Sequence, residues 1–185
     1  MKNASADPVK KAAADRQQAR DARRRALLKW SLLVVVLAVG LAIDLVTKHW
    51  AEQHLALGET RQLSSFFSLQ RTANNGVAFG LLGGNTAVII VTNIIAIAVV
   101  CAYVVWERHP VLAGLAGGSV IAGSLGNMIQ RLVNGHVTDF MKFPHWPNFN
   151  VADILIDAGI AAIFVGLVIE AILMWRAERH RTGSP

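Results

Sequence analysis

Two aspartates stand where the chain passes from a polar loop into an apolar run. The stretch "NGHVTDFMKFPHWPNFNVAD" holds Asp139 in "VTDF" and Asp153 in "NVAD", and the second motif leads straight into a long hydrophobic segment. A charge at the edge of a lipid-soluble segment is expensive and calls for a function or a compulsory partner. If the intervening loop folds back, the two carboxylates meet. Carboxylates within about 3 Å do not both ionise readily, so they share a proton and titrate as a pair. One then acts as a base that activates water, and the other as an acid that protonates an amide leaving group. That is the chemistry of aspartyl peptide hydrolysis. The residues alone leave a plainer alternative: Asp153 as the N-cap of a following helix and Asp139 as an ordinary loop residue.

Three further polar clusters stand near the ends of apolar blocks. In "DLVTKHW", Asp44 and Lys48 lie four apart on one helix face. They read either as an intrahelical ion pair with the lysine snorkelling outward, or as support for a site. In "NNGVAFG", residues 74–80, Gly76 permits positive φ and close approach of another chain, while Asn74 can hold an extended peptide by hydrogen bonds. Taken alone, that string is a turn. In "GNMIQR", residues 126–131, Asn127 is suited to bond a neighbouring helix and Arg131 to anchor at headgroups or meet a carboxylate.

The elements that must position these groups are apolar helices. The chain has 185 residues, 54% of them hydrophobic, above the share of an ordinary soluble domain. Four blocks, at about 27–47, 86–106, 111–129 and 154–175, each run 19–22 residues. As helices they are about 28–33 Å long and match a hydrocarbon core of about 30 Å. They carry almost no polar face, which excludes the buried helices of a soluble bundle. Trp30, Trp50, Trp106 and Trp175 flank the blocks and Trp146 lies in a loop, consistent with the headgroup preference of tryptophan. The expected fold is an α-helical integral membrane protein of four transmembrane helices with a small extracytoplasmic β-element. Residues 60–71 supply that element, with the turn-forming "NNG" after it. In the third block, Gly114 and Gly118, then Ala122 and Gly126, repeat a small-residue spacing that lets helix backbones approach.

Charge sets the orientation. Residues 1–29 contain nine Lys or Arg against Asp7, Asp15 and Asp21, a net of +6 that equals the excess of the whole chain. Arg176, Arg179 and Arg181 follow the last block. Positive segments stay in the cytoplasm, so both termini are expected inside, with loops 48–85 and 130–153 outside. Residues 1–26 are then a basic cytoplasmic tail, a frayed surface helix or a disordered one; 27–176 form the membrane domain, and 177–185 a short cytoplasmic tail. A basic run beside a span favours contact with anionic lipid over nucleic acid. The first block continues into "DLVTKHW" without a small-residue cleavage site, so it reads as a retained span. The single Cys101 excludes an internal disulfide, and the His and Cys spacings hold no metal motif.

The four clusters, in this order, resemble the bacterial lipoprotein signal peptidases (signal peptidase II). The strings that carry the resemblance are "DLVTKHW", "NNGVAFG", "GNMIQRLVNGHVTDF" and "FNVAD", spread over residues 44–153. The resemblance implies a membrane aspartyl endopeptidase of the bacterial inner membrane. Such an enzyme removes signal peptides from prolipoproteins, cutting just before a diacylglyceryl-modified cysteine. It implies Asp139 and Asp153 as the catalytic pair. Asn74, Gly76, Asn127, Arg131 and Asn150 would line the site toward substrate or the inhibitor globomycin, and Asp44 and Lys48 would support the fold. An outer β-cradle would correspond to about 55–80 and a mobile outer helix to about 141–149. No cofactor or metal is implied, the partners are prolipoprotein and membrane lipid, and a monomer is expected, with its site near the extracytoplasmic face. The chain departs from the family in one place: Gln130 stands where "GNxxDR" usually has Asp. In the family that Asp would pair with the adjacent arginine or order the site. Asp157, one turn after Asp153, takes no role from the motifs. Two other readings remain at this stage: a small ion-coupled transporter using Asp139, Asp153 and Asp157 as a relay, and a non-catalytic relative.

Overall fold

The computed structural model describes residues 8–76 and 86–182. Within them the order is α1 (Pro8–His54), β1 (Thr60–Gln62), β2 (Ser68–Asn74), α2 (Thr86–Trp106), α3 (Pro110–Asn134), β3 (Val137–Lys142) and α4 (Val151–Thr182). All four helices are long and apolar enough to cross a membrane. Three of the blocks expected from hydropathy lie inside longer helices, because polar turns at their ends continue the same backbone ladder; α2 matches its block residue for residue. The basic tail is helical from Pro8 and continuous with the first span. Val34, Val35, Val39, Ile94, Val99 and Phe164 are among the large apolar side chains left exposed, as a lipid-facing surface requires.

Helix α3 is the spine, and its composition explains why. Its span is the most buried of the four, and its glycines take the closest approaches. A Cβ at Gly114 would lie 2.8 Å from the Lys29 carbonyl oxygen, and one at Gly118 2.9 Å from that of Leu33, so these positions admit the backbone of α1. Gly123 leaves no room for a Cβ against the Ala152 carbonyl of α4, and Gly126 none against the Asp44 carboxylate. The expected small-residue spacing at Gly114, Gly118 and Gly126 admits α1, while Gly123, outside that spacing, admits α4. Pro110 opens α3 at a position where a missing N–H costs nothing. Gly135 closes it in the left-handed region (φ 75°), its N–H donating to the Arg131 carbonyl at 3.0 Å.

A three-stranded antiparallel sheet, in the order β1-β2-β3, sits on one end of the bundle. The single strand expected over 60–71 is two strands joined by a turn, and β2 continues to Asn74. The third strand was not anticipated. β3 places Asp139 opposite Thr72 and Thr138 opposite Ala73. Side chains alternate across a strand. Thr138 and Phe140 therefore face α1 and α3, where Phe140 packs on Ala51 and Leu55, while Asp139 faces the other way. No helix forms over 141–149. Met141 and Phe149 exchange backbone bonds of 2.9 and 3.0 Å, and Pro144 and Pro147 each lack the N–H a helix would need. His145 turns the chain at φ 61°. Of the "NNGVAFG" string, residues 77–80 lie outside the described residues.

Candidate active site

The site is assembled at the sheet end, where α1, α3, β2, β3 and the start of α4 converge. Helix α4 begins with a reciprocal cap. Asn150 is the N-cap: the Asp153 N–H donates to Asn150 Oδ1 at 3.1 Å, and the Asn150 N–H donates to Asp153 Oδ2 at 3.0 Å. Asp153 is thus the third helical residue of a capping box rather than the N-cap itself. The intervening amide of Ala152 donates to Asp44 Oδ1 of α1 at 2.8 Å. One helix start is therefore held by groups from two chain segments 108 positions apart, which orients the Asp153 side chain.

Asn150 also joins the two aspartates. Its Nδ2 donates to Asp139 Oδ1 at 2.7 Å, and Asn74 Nδ2 donates to Asp139 Oδ2 at 2.9 Å. Asp153 Oδ1 accepts from Asn127 Nδ2 at 2.9 Å. Each carboxylate thus receives donors on both oxygens, and Asn150 serves both. Asn74 is held in turn, its Oδ1 accepting the Gly76 N–H at 2.9 Å.

The orientation of Asn127 follows from Lys48. An ammonium has donors only, so the Asn127 oxygen, 2.8 Å from Lys48 Nζ, must be the face turned toward it. The amide nitrogen is thereby turned to Asp153. Lys48 also bonds Asp44 Oδ2 at 2.7 Å, and both side chains are fully buried. The ion pair expected along the helix exists, but the lysine points inward instead of snorkelling. The reason is the carboxamide that meets it inside.

Asp139 is 2% exposed. Burial pushes its carboxyl up to about 6, and the neighbouring charge of Asp153 adds to the rise. The amides of Asn74 and Asn150 and the charge of Lys48 pull the other way. Arg131, also buried, donates from Nη2 to the Gly76 carbonyl at 3.0 Å. Its Nε is the one buried side-chain polar atom without a partner among the described residues.

Part of this network borders a cleft of about 820 Å³ between α2 and α4, with Asp153 on its wall and Asp139 one hydrogen bond behind it, through Asn74. Asn74, Gly76, Asn127, Arg131 and Asp153 line it, with Trp146 and Phe149 above and Ile89, Ile156 and Asp157 along the helices. Among the described residues, helix α2 makes its extended packing only against α3, which leaves α2 and α4 unpacked against each other along the cleft. All nine residues singled out in the sequence meet here or directly support residues that do.

Gln130, the neutral residue in place of the family's Asp, bonds away from the adjacent Arg131. It donates from Nε2 to Glu52 Oε1 at 2.8 Å and accepts the Thr138 N–H at 2.8 Å. Glu52 was invisible in the sequence, since an exposed-looking Glu just past a span carries no motif; only its spacing of eight from Asp44 hinted at a shared helix. At the other end of the bundle, Glu107, His109 and Glu170 bring one ligand atom each within 4.8 Å of one another. They share no residue with this site.

Comparisons with known proteins bear on the family and the fold. The family described as Signal peptidase (SPase) II matches residues 36–169. The chain is similar to the lipoprotein signal peptidase of Symbiobacterium thermophilum, with 38% identity over 146 residues that cover 75% of this chain and 95% of that one. It is 35% identical over 155 residues to the lipoprotein signal peptidase of Brucella ovis, covering 80% and 93%. Among solved structures, one bacterial membrane enzyme superposes with a TM-score of 0.71 at 24% identity, covering 75% of this chain and 88% of that one. A second gives 0.67 at 25% identity, covering 73% and 91%. The matched span runs through all four membrane helices and contains both carboxylates, both capping partners and the buried ion pair, so this chain belongs to the signal peptidase II family.

Proposed function

We propose that the protein removes signal peptides from prolipoproteins by aspartyl chemistry, cutting before a cysteine that carries diacylglycerol. The observation that carries the reading is Asn150, one side chain bonded to Asp139 and joined through the helix cap to Asp153. It holds two carboxylates together beside a cleft that opens between membrane helices. In the reactive state the pair holds one proton. The ionised carboxylate takes a proton from water as its oxygen attacks the scissile carbonyl carbon. The protonated carboxylate then gives its proton to the amide nitrogen as the C–N bond breaks, and the pair ends with one proton again. Asn127 and Asn74 keep both acids aimed. Arg131 lines the same cleft, and its guanidinium is the cationic donor there.

The lipid on the substrate explains the location. A diacylglyceryl chain anchors the scissile bond near the membrane surface, and the cleft between α2 and α4 admits it without leaving hydrocarbon. With the basic tail and the last arginines inside, the sheet and the site face the extracytoplasmic side. Asp139, Asp153 and Asp157 border one end of the bundle and do not run through it, which disfavours a relay for transport.

The deciding experiment is cleavage by the purified protein in detergent of a diacylglyceryl-modified prolipoprotein beside its unmodified precursor. Cutting is expected only for the modified form. A folded protein that leaves both intact, or cuts both alike, overturns the reading.

The pH profile follows from the raised Asp139 carboxyl. The pair is active while it keeps one proton, so loss of the last proton near pH 6 sets the alkaline limb of kcat/KM. Activity is expected to fall about tenfold per pH unit above that midpoint. The kcat limb should lie higher, because bound lipid excludes water and raises the carboxyl further. A kcat/KM that is flat from pH 5 to 8 contradicts the shared proton.

A further inference from the structure

Glu52 belongs to no motif, and Gln130 is the position where the chain leaves its family. The structure binds the two together around Thr138, the residue before Asp139. Thr138 donates from its hydroxyl to Glu52 Oε1 at 2.6 Å and from its N–H to Gln130 Oε1 at 2.8 Å. Gln130 Nε2 closes the triangle on Glu52 Oε1 at 2.8 Å. Three elements therefore meet at one knot: α1, α3 and β3.

The knot is chemically matched. Glu52 is an acceptor only, Gln130 has one acceptor and two donors, and each faces its complement. A carboxylate at both positions sets two acceptors against each other or binds a proton at a cost that grows with pH; an amide at both keeps the bonds but weakens the one to charge. Because strand side chains alternate, holding Thr138 against the helices turns Asp139 to the opposite face, toward Asn74 and Asn150. Phe140, seated on Ala51 and Leu55, anchors the strand one step further on.

We propose that Glu52 and Gln130 are a matched pair of positioning residues that set the register of β3 and thereby the aim of Asp139, and that they work as one acid and one amide in either order. The inference rests on the catalytic reading of Asp139. Gln130 is then no lesion of the family motif; it is the partner that Glu52 demands.

The test is an isosteric exchange, with kinetics and thermal unfolding measured in detergent on the full chain. Gln130→Glu alone places carboxylate against carboxylate. It is expected to lower kcat about tenfold or more with KM within about twofold, since aim is lost while the cleft is untouched. Gln130→Asp alone should fail in the same way. Glu52→Gln combined with Gln130→Glu restores one acid and one amide. It is expected to recover kcat to within about threefold of the parent and to regain most of the melting temperature lost by the single change. A double variant no better than Gln130→Glu in both readouts overturns the pairing, as does a Gln130→Glu enzyme with parental kcat. If the parent itself does not cleave, the protease reading fails, and the melting temperatures still decide whether the pair is coupled.

Discussion

Replacing Asp139 with Asn is expected to abolish cleavage while leaving the protein as stable as before, or more stable. The loss should be on the order of 10⁴-fold, since general acid and general base catalysis both pass through this pair. The stability half follows from burial. The folded carboxyl lies at about 6 against an ordinary 3.8, so folding favours the protonated form. That contribution is fully present below the unfolded value and is lost as pH rises through the folded one. At neutral pH the ionised group therefore costs about 3 kcal/mol. A neutral Asn removes that cost at the expense of one contact, since its single amide oxygen can accept from only one of the Asn74 and Asn150 Nδ2 donors now at 2.9 and 2.7 Å. Asp153→Asn should be equally inactive and somewhat less stable than the parent, because its one amide oxygen can accept from the Asn150 N–H or from Asn127 Nδ2 but not from both. Cleavage rates and melting temperatures of both variants in detergent check this. More than a tenth of parental activity in either would falsify the dyad. Melting many degrees below the parent would show that the loss was one of folding.

Lys48→Met carries the largest structural effect. The lysine is fully buried between Asp44 Oδ2 and Asn127 Oδ1, and its removal leaves a buried carboxylate without its countercharge. Breaking such a pair from one side costs about 3–5 kcal/mol. The damage spreads along named bonds. Asp44 also accepts the Ala152 N–H at the start of α4, and Gly126 has given up its side chain to admit that carboxylate. Asn127 loses the shorter of the two bonds to its oxygen and keeps only the 3.3 Å bond from Asn150 Nδ2, so its hold on Asp153 loosens. Activity is therefore expected to fall even in molecules that remain folded. A Lys48→Met, Asp44→Leu double variant removes the stranded charge and should regain part of the melting temperature without regaining cleavage. Full activity in Lys48→Met, measured on folded protein, would show that the lysine only packs.

Substitution tests of this kind separate two roles that the motifs merge. Asp44 and Lys48 touch no part of the cleft. Their bonds lead to Asp153 through the Ala152 amide and the Asn127 carboxamide, so the effect expected of them on cleavage is one of positioning. Asn150 does both things, capping a helix and bridging the acids.

Much of this protein was decided by composition and order along the chain. Four apolar blocks of bilayer length made the four helices, because a backbone in lipid must satisfy its own hydrogen bonds. The small residues at Gly114, Gly118, Ala122 and Gly126 marked α3 as the helix others approach. Asp139 and Asp153, at the border of polar and apolar sequence, marked the site. The direction of a side chain was beyond reach of the sequence. Lys48 four residues from Asp44 allows an outward or an inward ammonium, and only the oxygen of Asn127, 79 positions away, selects the inward one. Asp153 at the mouth of a span looks like its N-cap until Asn150 is seen to hold that place. The strand β3 and its knot of Glu52, Gln130 and Thr138 left no periodic trace, since six residues of mixed polarity read as loop. They form because an antiparallel neighbour and two helix ends supply partners that lie far apart in the chain. Sequence decided which groups this protein has and roughly where the membrane edge falls. Tertiary structure decided which way each group points, because hydrogen-bond complementarity among buried polar atoms is a property of the assembled site and not of any one segment.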